Sequence, residues 1–200
     1  MSGTLISTVY SHDSIVLAIT KFSIEKLILL VDDKPDTVQA KAIESIRSTY
    51  SKVIDVSEKK IPIYDVMGIA EACVNLINSI PEGEKLIVNV TPSRKTQAFG
   101  LLYACFRKTD RIDKIIYITE DKNEVVILPI LDFSLSDSQV DILENIKPKT
   151  TINDLEKKLK GTQSRAMIYR NIKDLRHKGI LEDDGRELKI TQAGKIAMMS

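Results

Sequence analysis

The run Asn89-Val90-Thr91-Pro92-Ser93-Arg94-Lys95-Thr96 puts two adjacent cations and three hydroxyls where an apolar strand pattern over residues 85–90 (KLIVNV) gives way to a helical one. Thr91 suits a helix N-cap and Pro92 a first helical position. Arg94 and Lys95 then crowd a helix N-terminus, where unpaired amides and the helix dipole already favour an anion. Cations there cost an isolated helix a few tenths of a kcal/mol, a cost that a bound phosphate reverses. A second segment of interest, Val9-Tyr10-Ser11-His12-Asp13, follows the first strand pattern. Ligands of parallel α/β sheets bind beyond the carboxyl ends of the strands, so these two segments form the candidate site. The competing reading is an incidentally basic surface turn.

Other chemistries lack their residues. No G-x-G-x-x-G follows the first strand, which argues against a nicotinamide or flavin despite Asp32-Asp33, and no G-x-x-x-x-G-K-[ST] is present. Ser11, His12 and Asp13 hint at a nucleophile with a base, but neighbours in sequence rarely face each other. The only other histidine, His177, lies far along the chain, so convergent groups for hydrolysis are missing. Cys73 and Cys105 sit within apolar helical patterns without metal-ligand spacing and read as core residues. No metal and no cofactor are expected. The longest apolar runs, such as residues 26–31 (KLILLV), fall far short of the ~20 residues of a membrane helix. With no signal-peptide pattern at the start, the expected compartment is the cytoplasm, with no membrane partner.

The elements that must hold the site alternate in type. Residues 4–10 are rich in strand formers, 13–22 have helical spacing, and 26–31 read as a buried strand. Pro35 opens a helical stretch to Tyr50 with Val38, Ala42 and Ile46 inward, and 52–56 read as a short strand. Residues 64–80 are helical, with Met67, Ala70, Val74 and Ile77 on one stripe. A further helix over 92–107 turns Ala98, Leu101, Leu102 and Cys105 inward. Segments 114–119 and 124–130 are strands with no helix between them and must pair as an antiparallel hairpin. The fold class is therefore α/β: a Rossmann-like, mostly parallel sheet ending in an antiparallel hairpin.

The pattern changes after Asp132. Ser136-x-x-Gln139 and Thr151-x-x-Asp154 cap two short helices, and Pro148 separates them. Ile152, Leu155 and Leu159 face inward. A third helix runs over 163–177, and Gly179 ends it. Asp184-Gly185 then sits between two short strands within 181–191. Three helices followed by a hairpin is the order of a winged helix-turn-helix. Ile168, Ile172 and Leu175 pack inward on the third helix. Gln163, Ala166, Arg170 and Lys173 face out, with His177 farther along. Gln and Arg suit adenine and guanine edges in the major groove. Arg165, Arg176 and Lys178 flank them for phosphates, and Arg186 and Lys189 stand on the wing. Basic residues outnumber acidic ones after Ser134, unlike the preceding part. The blander readings are a solvated helix face or a protein-interaction module. The expected domains are residues 1–133, a ligand-sensing domain, and 134–200, a DNA-binding domain.

The element order and the segment 89–96 resemble the CRISPR-associated Rossmann-fold (CARF) family. With the appended winged helix-turn-helix, the chain is similar to that family's archaeal transcription regulators, which belong to antiviral defence. The resemblance implies a homodimer whose paired sensor domains enclose a cyclic oligoadenylate, often the tetra-adenylate. It places ligand contacts at Tyr10, Ser11, His12, Asn89, Thr91, Ser93, Arg94 and Lys95. The family often has glycines where Pro92-Ser93 stands here, and proline removes an amide donor. Some relatives cleave the ligand without metal. By resemblance Ser11, Arg94 and Lys95 would then stabilise in-line attack, and a ring nuclease is the first alternative to a regulator that senses its ligand and binds double-stranded DNA. The second is a DNA-binding protein with no such ligand.

Overall fold

A computed structural model describes residues 3–131 and 134–199. The chain divides into two compact units, 1–132 and 133–200.

The first unit alternates β1 (Gly3–Thr8), α1 (Asp13–Phe22), β2 (Ile24–Asp32), α2 (Thr37–Tyr50), β3 (Asp55–Ile61), α3 (Val66–Ser79), β4 (Lys85–Asn89) and α4 (Lys95–Arg107). A 3-10 turn then leads to β5 (Ile112–Ile118) and β6 (Val125–Leu128). The six strands lie in the order β3-β2-β1-β4-β5-β6. The first five are parallel, and β6 runs antiparallel to β5. This is the doubly wound Rossmann order, in which the strand order reverses between the parallel neighbours β1 and β4 and opens a crevice there.

Helices cover both faces of the central strands, so β1 is buried along its whole length and β2 and β4 carry near-continuous apolar runs. Leu5, Leu27, Leu29 and Ile87 meet Ile15, Ala18 and Ile46 in one core. On the α3 and α4 side, Gly100 provides close approach: a Cβ there would stand 2.5 Å from Ile69 Cγ2.

Several elements differ from the sequence expectation. The third strand is 55–61 rather than 52–56. Residues 51–54 finish the turn after α2, and the strand extends through Ser-Glu-Lys-Lys in register with β2. Its exposed charges guard a sheet edge, which is why it lacks apolar alternation. On α2 the cap is Asp36, which accepts from the amides of Val38 and Gln39. The inward face is Gln39, Ala42, Ile43 and Ile46, leaving Val38 exposed. Helix α4 begins at Lys95 rather than Pro92, with Arg94 at the N-cap. Residues 91–93 form a bend closed by the Ser93 amide on the Thr91 carbonyl at 3.0 Å. The buried α4 face is accordingly Gln97, Gly100, Leu101, Ala104 and Cys105.

The second unit contains α5 (Asp137–Glu144), α6 (Ile152–Lys158), α7 (Arg165–His177), β7 (Leu181–Asp183), β8 (Leu188–Ile190) and α8 (Gln192–Ala197). Leu143, Leu155, Ile168, Ile172, Leu175 and Leu188 share its core. The Asp154 carboxylate accepts from the Thr151 hydroxyl at 2.7 Å and its amide at 3.0 Å, closing a capping box on α6. These bonds, hydroxyl first, hold the Asp154 pKa below its ordinary value. Strands β7 and β8 pair antiparallel. The Asp184 carboxylate organises their turn by accepting from the amides of Arg186 and Glu187, and Gly185 supplies the positive φ of 80°.

Candidate functional site

Beyond the carboxyl ends of β1, β4 and β5 lies a crevice of about 300 Å³. Its walls are Tyr10 and Ser11 from the β1–α1 turn, Asp13 and Ser14 from the start of α1, Thr91, Pro92 and Ser93 after β4, and Ile118, Thr119, Glu120 and Asn123 around the β5–β6 turn. The structure thus brings both sequence-expected segments to the switch point of the sheet, with different roles for individual residues.

Thr91 braces the crevice. Its amide and hydroxyl both donate to Asn89 Oδ1, at 3.1 and 2.7 Å, while its Oγ1 accepts from the Ile118 amide at 2.8 Å. Asn89, expected to touch ligand, is fully buried beneath this bend. Its Oδ1 is spent on the loop, and its Nδ2 has no hydrogen-bond partner among the described residues. The hydroxyl of Ser93 donates to the Val90 carbonyl and that of Thr96 to the Ile63 carbonyl, so neither is reserved for an anion. His12 caps α1 and turns toward the groove between α1 and α2 instead of the crevice. Its Nε2 contacts Asp13 Oδ1 at 3.1 Å, so these neighbours do meet, contrary to expectation.

Arg94 is the largest departure. Its Nε lies 3.5 Å from Asp32 Oδ2, its Nη2 is 3.3 Å from Asp36 Oδ2, and its guanidinium carbon stands 5.8 Å from the centre of the Tyr10 ring. Asp32 is 1% exposed, and a buried carboxylate must be paired and hydrogen-bonded. Oδ1 of Asp32 accepts from Gln97 Nε2 at 2.6 Å and Gln39 Nε2 at 3.3 Å. Gln39 also accepts from the Asp32 amide and donates to the Val9 carbonyl. Arg94 therefore ties the ends of β1, β2 and β4 together, its charge balanced by two acids. Lys95, exposed at the first position of α4, has no ion pair among the described residues and is the cation available to a ligand.

Sequence reading missed Asp32, Asp36, Gln39, Gln97 and Ser14. The signal for the glutamines was their place on inward stripes, Gln39 with Ile43 and Ile46, and Gln97 with Leu101 and Ala104. Thiol chemistry has no part here: burial pushes the Cys73 thiol up to about 12 and that of Cys105 well above its ordinary value. Among the described residues no group of three or more His, Cys, Asp or Glu side chains could hold a metal ion, and no helix is long and apolar enough to cross a membrane.

In the second unit α7 presents Ala166, Arg170, Lys173 and His177 along one exposed line. Gln163, expected beside them, precedes the helix and is buried. Its Nε2 donates to the Ser138 carbonyl at 2.9 Å, and its Oε1 accepts from Asn171, so it joins α7 to α5 instead of meeting a base edge. Three expected phosphate contacts carry acidic partners: Arg165 with Glu156 at 3.0 Å, Arg176 with Asp183 at 3.5 Å, and Lys189 with Glu187 at 2.8 Å. The hydrogen bond to Glu187 is the main cause of a raised Lys189 pKa. Arg186 stands on the turn between β7 and β8 with its amide on Asp184.

Among curated proteins none matches the chain. Among solved structures, the chain is similar to VC1899 from Vibrio cholerae, with 12% identity and a TM-score of 0.50 over 96% of this chain and 63% of that one. It is also similar to Can2 from Sulfobacillus thermosulfidooxidans in complex with cyclic tetra-adenylate (13% identity, TM-score 0.49, 98% of this chain and 63% of that one). A third is Enterococcus italicus Csm6 bound to cyclic hexa-2'-fluoro-hexa-dAMP (12% identity, TM-score 0.46, 89% and 44%). The chain thus spans less than two thirds of each of these proteins, and at such identity the likeness is one of fold alone. A family model described as HFX_2341_N:-like, N-terminal, matches residues 5–124, more than half of the chain, and the chain belongs to that family.

Proposed function

We propose that the chain is a CRISPR-associated transcription regulator of the CARF type. Its first unit senses a cyclic oligoadenylate and its second binds double-stranded DNA. The observation that carries the reading is the crevice between the ends of β1 and β4, with Tyr10 in its wall and the unpaired Lys95 at the adjoining start of α4. A cyclic oligoadenylate offers the matching parts: phosphodiesters for a cation at a helix N-terminus and flat bases for an aromatic wall.

One crevice of about 300 Å³ is at the low end for a small-molecule site, and two facing copies suit a ring of nucleotides better. Helix α4 supports such a homodimer. Besides its buried face it carries Phe99, 52% exposed, with Leu102 and Tyr103 half-buried beside it. In this reading that face of α4 meets its counterpart in the second copy.

For the second unit, the winged helix-turn-helix reading is supported by the three-helix and hairpin order. It is also supported by the Leu188 amide donating to the Thr150 carbonyl at 2.8 Å, which extends the hairpin toward the start of α6. Helix α7, with Arg170 and Lys173 exposed and without an ion pair among the described residues, is the recognition helix of this reading.

Sensing requires that ligand and DNA influence each other. Measured by fluorescence anisotropy on a duplex selected from a random pool, DNA affinity is expected to change about 5- to 150-fold on saturation with cyclic tetra-adenylate, the usual span of an allosteric coupling. Identical affinities with and without ligand contradict the regulator.

A further inference from the structure

Two large apolar side chains, Met167 and Tyr169, are each 42% exposed on helix α7, whose exposed residues also include Arg165, Arg170, Lys173 and Arg176. Tyr169 is engaged within the unit. The guanidinium carbon of Arg165 stands 5.6 Å from its ring centre, and it lines a cleft toward the start of α6 and the β7–β8 turn. Met167 is presented differently. Its amide donates to Ser164 Oγ at 3.3 Å, so the helix cap fixes the backbone beneath it. Met167 stands three residues before Arg170 and Ala166 four, so the three share one stretch of the exposed surface.

The bases that this surface can read are narrowed by what is withdrawn from it. Gln163 and Asn171 are buried and bonded to Ser138 and to each other, so neither amide is left for an adenine edge. Arg165 and Arg176 are paired with Glu156 and Asp183. Arg170 keeps its fork of donors without an ion pair among the described residues, and that fork matches guanine O6 and N7. Beside it Met167 and Ala166 offer apolar surface, and the apolar group of the major groove is the thymine C5-methyl. Three or four residues of helix rise about 4.5–6 Å, one or two base steps of about 3.4 Å.

We infer that α7 reads a guanine with a thymine one or two base steps away. Arg170 donates to guanine O6 and N7, Met167 packs on the thymine methyl group, and Ala166 is small enough to let the helix approach the base edges. This deepens the DNA-binding reading of the second unit and rests on it.

Duplexes selected from a random pool on the full-length protein are expected to share a guanine with a thymine within two base steps. Replacing that thymine by deoxyuridine removes the methyl group alone and leaves the protein untouched. By fluorescence anisotropy the replacement is expected to weaken binding by the unsubstituted protein about fourfold, the loss of one buried methyl group. In Met167→Ala it is expected to change nothing, because the methyl group has already lost its contact. Replacing the guanine by 7-deazaguanine, which lacks the N7 acceptor, is expected to cost the unsubstituted protein about tenfold and Arg170→Ala nothing. Selected duplexes without a thymine near the guanine overturn the inference. So does equal affinity for thymine and deoxyuridine, or a methyl effect that persists undiminished in Met167→Ala. In each of these cases an enriched and bound duplex still supports the DNA-binding reading. If no duplex is enriched, that reading and the inference fall together, and the face of α7 is left to a protein partner.

Discussion

Lys95→Ala is expected to weaken cyclic tetra-adenylate roughly a thousandfold while leaving the protein folded. A charge-assisted hydrogen bond contributes about 1.5–3 kcal/mol. A ligand shared across a two-fold axis loses two of them, about 4 kcal/mol together, and each 1.4 kcal/mol is tenfold in affinity. The side chain is exposed and has no internal ion pair among the described residues, so its removal leaves no stranded charge. Arg94→Ala differs in kind, because it removes the cation beside the buried Asp32 carboxylate. Its signature is a lower melting temperature, since stranding a buried charge typically costs about 3–5 kcal/mol. Calorimetric titration and thermal melts of the two variants separate the roles. Equal ligand affinity in Lys95→Ala and the unsubstituted protein removes Lys95 from the site.

Arg170→Ala with Lys173→Ala is expected to have the largest effect on DNA. Each base contact in the major groove accounts for about 1–3 kcal/mol of discrimination, so the pair lowers specific affinity roughly a hundredfold. Each phosphate contact removed flattens the log–log salt dependence by about 0.9. The hairpin should matter far less. Glu182, Asp183, Asp184 and Glu187 outnumber Arg186 and Lys189 there, and Lys189 is bound to Glu187. Salt-dependent anisotropy titrations on one selected duplex give both quantities. Unchanged affinity and slope in the double variant contradict the assignment of α7 as recognition helix.

The alternation that builds the sheet was legible because its central strands are continuous apolar runs and its helices carry apolar stripes. Residues 13–22 were expected as a helix and form α1 with those bounds. The antiparallel ending followed from two strand patterns with no helix between them, and Ile115 does pair with Leu128. The third strand was expected at 52–56 and lies at 55–61, because an edge strand kept soluble by Glu58, Lys59 and Lys60 is not marked by alternation.

The location of the crevice was also legible, since topology alone places it at the ends of β1 and β4. The partners of Arg94 were not, because Asp32 and Asp36 come from another crossover, and no local pattern reveals that two loops meet. Gln163 misled for a related reason. On a helical projection it shares the face of Arg170, but α7 starts at Arg165 and the preceding residue caps it, turning Gln163 onto Ser138.

The central claim is that two copies of the chain enclose one cyclic oligoadenylate, and the stoichiometry of binding tests it most directly. Isothermal titration of cyclic tetra-adenylate into the purified protein, with the mass of the complex measured alongside, is expected to saturate at one ligand per two chains. Saturation at one ligand per single chain, or no binding of cyclic oligoadenylates of any ring size, contradicts it.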